Sequence, residues 1–273
     1  MMLVRHGAGP LVLAHRGGDL GHGENTLEAF AAARALGVRH IETDVHLSAD
    51  GRVVVSHDPD LARCFGIDMR IGQLTWRELA ELRTPTGERM PLLSEALVAF
   101  PDMYFNVDAK AFGVERPLLE VVERHGAADR VLIASFSESR LRRVRAMSEG
   151  GVATSLGVAA VARLVAAAQT ATSPTRWRLP GPRQGAVAVQ VPIRQGALRV
   201  VDARFVAAAH AAGLAVHVWT VDEEAEVVEL IGLGVDGIVT NRPGVVRDLL
   251  DARGLWAEPE PPSSRRSRQG ARD

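Results

Sequence analysis

Eight short runs of β-branched and apolar residues recur along this chain of 273 residues, at 11–15 (LVLAH), 40–45 (HIETDV), 104–110 (YFNVDAK), 130–136 (RVLIASF), 152–156 (VATSL), 186–192 (AVAVQVP), 215–221 (AVHVWTV) and 237–241 (GIVTN). Between them lie stretches with helical spacing, such as TLEAFAAARALG, DARFVAAAHAAG and DEEAEVVELIGLG, several opening on an acidic residue and closing on glycine. Eight strands alternating with helices over roughly 250 residues is the count of a (β/α)8 TIM barrel. The strands read as apolar runs, with little strict alternation, which suits a parallel sheet covered on both faces. One such domain is expected over residues 1–254. Two stretches break the rhythm. Residues 59–92 read as a short insertion after the second barrel strand, containing the helix-like TWRELAEL. Residues 255–273 are rich in Pro, Ser and Arg, and a disordered tail is expected there.

Composition bears mainly on partners. A hydrophobic content of 47% is ample for a core, and a formal net charge of −1 gives no electrostatic case for nucleic acid or for a membrane surface. Cys64 is the only cysteine, so no intrachain disulfide can form. No apolar run is long enough to span a bilayer, and the N-terminal stretch lacks the apolar centre of a signal peptide. The expectation is a cytoplasmic protein without stable membrane insertion. Nothing in the sequence speaks to its oligomeric state.

In a barrel of this kind chemistry sits at the carboxyl ends of the strands. Because side chains alternate along a strand, Glu42 and Asp44 share one face of the second strand, and Asn106, Asp108 and Lys110 share one face of the third. His15 ends the first strand and Arg16 follows it; His57 ends the run RVVVSH; His217 and Trp219 share a face of the seventh. Lys110 is the only lysine among 32 basic Lys and Arg residues, so a compact ammonium in place of a planar guanidinium points to a specific need. Buried carboxylates are costly unless paired or bound to metal. Glu42, Asp44 and Asp108 converging on one mouth are explained by a hard divalent cation, Mg²⁺ or Ca²⁺. Beside two histidines and two cations, such a site suits a phosphate ester.

Each residue taken alone has a plainer reading. Glu42 and Asp44 could pair with arginines of the rim, His15 could be structural, the glycines of HRGG could serve only a tight turn, Lys110 could be a rim cation and Trp219 simple packing. The strand-end set as a whole is harder to dismiss.

The elements AHRGG, ENTLEAF, IETDVHLSADGRVVVSHDPDL, NVDAK, VHVWTV and GVDGIVTNRP, in that order, resemble the glycerophosphodiester phosphodiesterases over about residues 11–250. The resemblance implies a TIM barrel with a small insertion after its second strand, hydrolysing glycerophosphodiesters to glycerol 3-phosphate and an alcohol with one divalent cation. It implies catalytic roles for His15 and His57, cation ligation by Glu42, Asp44 and Asp108, and contact with the substrate phosphate or its surroundings by Arg16, Lys110 and Trp219. Glu24 and Asn25 match its ENT element, where capping of the first helix competes with a direct role at the site. Two departures stand out. Asp108 replaces a more usual glutamate, one methylene longer, so a water could bridge it to the cation. Asn241 replaces a more usual aspartate, and the expected consequence is loss of a rim charge without effect on the catalytic groups. Phospholipase D-like or C-like action on lysolipids is the alternative reaction, signalled by an exposed apolar rim. A barrel that binds a phosphorylated ligand without turning it over is the non-enzymatic alternative.

Overall fold

The computed structural model describes residues 3, 4, 7 and 9–262. Eight parallel strands close into a barrel: β1 (Leu11–His15), β2 (His40–Leu47), β3 (Tyr104–Ala109), β4 (Val131–Ala134), β5 (Ala153–Ser155), β6 (Ala186–Val191), β7 (Ala215–Val218) and β8 (Gly237–Thr240). Each pairs with the next, and β8 pairs with β1 to close the ring. A helix follows every strand and covers the outer face, from Leu27–Ala35 after β1 to Pro243–Asp251 after β8. The strand periods expected from sequence coincide with the barrel, but several strands stop short of the apolar runs. Lys110, Phe136, Trp219 and Asn241 therefore stand just beyond strand ends, on the mouth.

The first helix shows how local sequence meets packing. Thr26 caps it, its Oγ1 accepting from Ala29 N at 3.1 Å. Its buried face is Ala29, Phe30 and Ala33, and Phe30 meets Phe100 and Phe105 edge-on at 6.2 and 6.0 Å between centroids. Phe30→Ala would cost about 3–5 kcal/mol through lost burial and the cavity left behind. At the opposite end of the barrel from the mouth, Leu3 and Val4 pack against Tyr104, Leu132 and Ala215, and Val4 O lies 3.0 Å from His217 Nε2.

Beyond the closed barrel β2 continues into an antiparallel pairing with Val53–Val55, so the chain returns to the mouth at Ser56 and His57. The expected insertion begins there. It is a small layer with its own apolar cluster of Leu61, Ile71, Leu79, Met90 and Leu92, to which Trp76 and Phe65 add partly buried rings. TWRELAEL forms only the single turn Trp76–Leu79, capped by Thr75 and Glu78. The segment 255–262, expected to belong to a disordered tail, instead lies against the barrel. Leu255 and Trp256 pack on the main core, Glu258 pairs with Arg39, and Tyr104 Oη donates to Glu260 O at 3.2 Å. The rest of the expected tail, 263–273, lies outside the described residues.

Candidate active site

Strand register builds the polar mouth. His15 of β1 lies beside Glu42 of β2, and Asp44 lies beside Asp108 of β3. All four residues open onto one cavity of about 720 Å³, together with Arg16, His57, Lys110 and Trp219. The set read from the strand ends is thus brought together. Lys110 Nζ sits between two of the carboxylates, 2.9 Å from Asp44 Oδ1 and 3.0 Å from Asp108 Oδ2. Burial works against this ammonium, but Asp108 and Asp44 outweigh it and its pKa is raised. Burial, reinforced by the charges of Asp44 and Asp108, pushes Glu42 well above the ordinary carboxylate range. Burial likewise raises Asp108, against the pull of Lys110.

The donor chemistry of this cluster suits a hard cation. Glu42 Oε2 and Asp108 Oδ1 are buried oxygens without a hydrogen-bond partner, a costly arrangement unless something positive is received there. Among the described residues no three histidine, cysteine or carboxylate side chains are already gathered at metal-ligating distance. Lys110 neutralises Asp44 and Asp108 instead. The ligands therefore fit a cation by type and by their unmet oxygens, and would have to be shared with Lys110.

The surrounding residues divide the work differently from the sequence reading. Glu24 and Asn25 do not cap the first helix: Thr26 is its cap and Glu28 its first-turn acid. Asn25 has a left-handed backbone (φ 59°) and is buried; its Nδ2 donates to Asp44 Oδ2 at 3.1 Å while its Oδ1 accepts from Thr43 Oγ1 at 2.6 Å. It thus orients a carboxylate of the cluster. Glu24 receives Arg16 Nη1 at 3.1 Å and both terminal nitrogens of Arg63 at 2.6 and 2.7 Å. Burial raises the Glu24 pKa, but these arginines dominate and it lies below its usual value. Arg16 Nε stands 3.5 Å from Asp44 Oδ2, at the edge of the cluster. The turn Arg16–Gly18 is left-handed throughout, and a Cβ at Gly17 would come within 2.6 Å of Ala29 Cβ, which is why glycine follows the arginine.

The two histidines are held in different ways. His57 Nδ1 lies 2.7 Å from Asp58 Oδ1, and Arg63 Nε donates to the other oxygen of Asp58 at 2.6 Å. His15 Nδ1 lies 2.7 Å from Asn241 Oδ1, and its Nε2 is 3.9 Å from Glu42 Oε2. Burial lowers the His15 pKa; the Asn241 hydrogen bond opposes that shift and the charge of Arg16 adds to it. Asn241 is therefore no mere rim position. Sequence reading also passed over His46, whose Nε2 lies 3.1 Å from the His57 carbonyl oxygen, although the period-two rule that groups Glu42 with Asp44 reaches it. Asp58 was visible only as the neighbour of His57. Below the carboxylates a second polar layer fills the barrel: Gln190 Nε2 donates to Asn106 Oδ1 at 3.0 Å and lies 3.3 Å from His217 Nδ1.

The far side of the cavity is apolar. Leu156, Val161, Val165 and Val200 line it, and Phe136, Val158 and Leu198 stand exposed at its edge. Trp219 closes the boundary, its ring 5.7 Å from that of Phe136.

A TIM barrel whose mouth joins a carboxylate cluster, two histidines with Nδ1 anchored, and two half-buried cations belongs to the barrel enzymes. The profile of the glycerophosphoryl diester phosphodiesterase family matches residues 15–245, and the chain belongs to that family. It is 39% identical over 254 residues to the "probable glycerophosphodiester phosphodiesterase 2" of Mycobacterium tuberculosis, a match that covers 93% of this chain and 95% of that one. It is 37% identical over 111 residues to the lysophospholipase D of Rattus norvegicus, covering 36% of this chain and 35% of the relative. Its fold superposes with a TM-score of 0.72 on an Oleispira antarctica phosphodiesterase in complex with the product sn-glycerol-3-phosphate, at 25% identity and covering 89% and 97% of the two chains. Among the described residues no helix is long and apolar enough to cross a membrane.

Proposed function

We propose that the chain hydrolyses glycerophosphodiesters to glycerol 3-phosphate and an alcohol, with His15 and His57 as the acid–base pair and Glu42, Asp44 and Asp108 holding one divalent cation, Mg²⁺ or Ca²⁺. The observation that carries this reading is the common opening of both histidines, three carboxylates, Arg16 and Lys110 onto one cavity. When bound, the cation would act as a Lewis acid on a phosphate oxygen. Arg16 and Lys110 orient the phosphate and offset charge that grows on it. His15 Nε2 takes the proton of the attacking oxygen, whether of water or of a neighbouring glycerol hydroxyl. His57, backed by Asp58, supplies a proton to the departing alcohol. Trp219 bounds the space left for the glycerol.

The test is release of glycerol 3-phosphate from a panel of glycerophosphodiesters, with and without chelator. Turnover that stops on chelation and returns with Mg²⁺ or Ca²⁺ is expected. Undiminished turnover in exhaustively chelated enzyme would remove the cation from the reading, and no turnover under any condition would favour a barrel that only binds its ligand.

The apolar wall favours a second reading. A glycerophosphodiester with a small head group leaves Leu156, Val161, Val165 and Leu198 unused, whereas a lysolipid would lay its single chain along them. Hydrolysis of 1-acyl lysophosphatidylcholine beside glycerophosphocholine separates the two. A preference for the lysolipid that Leu198→Glu abolishes, with lysophosphatidic acid as product, supports phospholipase D-like action. Monoacylglycerol as product would mark C-like cleavage, and equal rates on both substrates would leave the wall without a role.

A further inference from the structure

Asn241 follows β8, and Asp222 lies on the loop that follows β7. The Asp222 carboxylate accepts from Thr240 Oγ1 at 2.9 Å, from Asn241 N at 2.8 Å and from Asn241 Nδ2 at 2.8 Å. An ionised carboxylate only accepts hydrogen bonds, so the Asn241 amide must turn its NH₂ toward Asp222. Its Oδ1 is then the atom that faces His15 Nδ1, 2.7 Å away. An amide oxygen also only accepts, so Nδ1 of His15 carries the proton. The ring nitrogen on the cavity side, Nε2, is thereby left free to accept one. The opposite amide orientation would set two oxygens against each other at Asp222. The network therefore decides what the shape of an amide alone does not.

We propose that Asn241, locked by Asp222, is a positioning residue that fixes the Nδ1–H tautomer of His15 and aims its Nε2 at the reacting phosphate. A neutral amide thus stands behind this histidine, whereas a carboxylate stands behind His57. The proposal rests on His15 being the proton acceptor of the hydrolysis. It gives Asn241 and Asp222 a part in the reaction without contact with the substrate.

The test uses Asn241→Asp, Asp222→Asn and the double variant that exchanges the two. Asn241→Asp sets carboxylate against carboxylate. Asp222→Asn frees the Asn241 amide to turn its NH₂ on His15, which favours the wrong tautomer. Each single variant should lower kcat by on the order of 10²-fold, within the roughly 10⁴-fold that a wrong histidine tautomer can cost, with KM little changed. In the exchanged pair the amide now on the β7 loop donates to the carboxylate now following β8. That carboxylate accepts from His15 Nδ1, and kcat should return most of the way. A merely structural role predicts losses that follow Tm and add in the double variant. Nitrogen-15 NMR of histidine-labelled protein, with the His15 signals assigned through His15→Gln, reads the tautomer without any substrate. It should show protonated Nδ1 in the parent chain and a shift toward protonated Nε2 in Asp222→Asn. An Nε2–H tautomer in the parent chain, or a double variant no faster than the singles at the parent's Tm, would overturn the proposal. The spectrum stands even where Asn241→Asp fails to fold, and it separates a missing relay from a wrong assignment of the reaction.

Discussion

Replacing the single lysine, Lys110→Met, tests how the carboxylate cluster is held together. The Lys110 side chain is 22% exposed, and its partners Asp44 and Asp108 are 2% and 11% exposed. At an effective dielectric of about 20, each contact near 3 Å is worth on the order of 5 kcal/mol before desolvation is charged against it. Stripping one member from a buried pair costs about 3–5 kcal/mol, because the remaining charge stays buried without compensation. Partial exposure of the ammonium favours the lower end, about 3 kcal/mol. For a chain of this size that corresponds to a fall in Tm of about 6–12 °C. The assay is thermal unfolding in chelator, repeated with added Mg²⁺ or Ca²⁺. Since the variant leaves Asp108 without its ammonium and Asp44 with only Arg16, 3.5 Å away, added metal should raise its Tm more than it raises that of the parent. A variant within about 1 °C of the parent in chelator, against the several degrees calculated, would refute the reasoning, because it would mean that Lys110 does not neutralise the cluster. Lys110→Arg keeps the charge in a broader, planar group, so its stability should survive better than its kcat/KM.

His15→Ala and His57→Ala should each lower kcat by about 10²–10⁴, and an activated leaving group should rescue His57→Ala far more than His15→Ala; rescue of both alike would contradict the assigned roles. Asp108→Glu should retain more cation-dependent activity than Asp108→Ala, measured as kcat/KM against Mg²⁺ concentration; equal loss in both would show that its oxygen is not used. In the insertion, hydrogen bonds from Thr84 and then Thr86 hold Glu88 down to about 2, against 4.5 ordinarily. A depressed carboxylate pKa contributes stability that is complete above pH 4.5 and is lost as the pH falls toward about 2. Urea midpoints should therefore drop across that window in the parent and show a smaller drop in Glu88→Gln; parallel curves would sink the assignment.

The barrel was legible because its strands are apolar runs at regular spacing, and the carboxylates because period two sets Glu42, Asp44 and Asp108 on inward faces. What stayed hidden depends on contacts between distant elements. Asn241 reaches His15 across 226 positions, a neighbourhood created only when β8 closes against β1. For Asn25 the sequence leaves capping and a site role open, because capping residues and site residues draw on the same short polar types, and only the fold shows Thr26 in the cap and Asn25 on Asp44. The apolar wall escaped notice for another reason. Its residues come from separate pieces of chain, Phe136 after β4, Leu156 after β5, Val158, Val161 and Val165 on the helix Val158–Gln169, and Leu198 and Val200 after β6, each unremarked in its own segment. The packing of Leu255 and Trp256 was masked by the polar composition that follows them.

The extension of β2 past the barrel has a consequence for how such an enzyme can diverge. Glu42, Asp44 and His57 ride on one continuous hairpin, and the insertion opens only after Asp58. Length can be gained or lost there without altering the spacing between the carboxylates and the second histidine, provided that an arginine such as Arg63 still reaches back to Asp58 and Glu24. The candidate catalytic groups and the insertion are thereby carried on separable pieces of chain. The hairpin holds Glu42, Asp44 and His57 as a unit, while the apolar wall across the cavity is built from the segments that follow β4, β5 and β6.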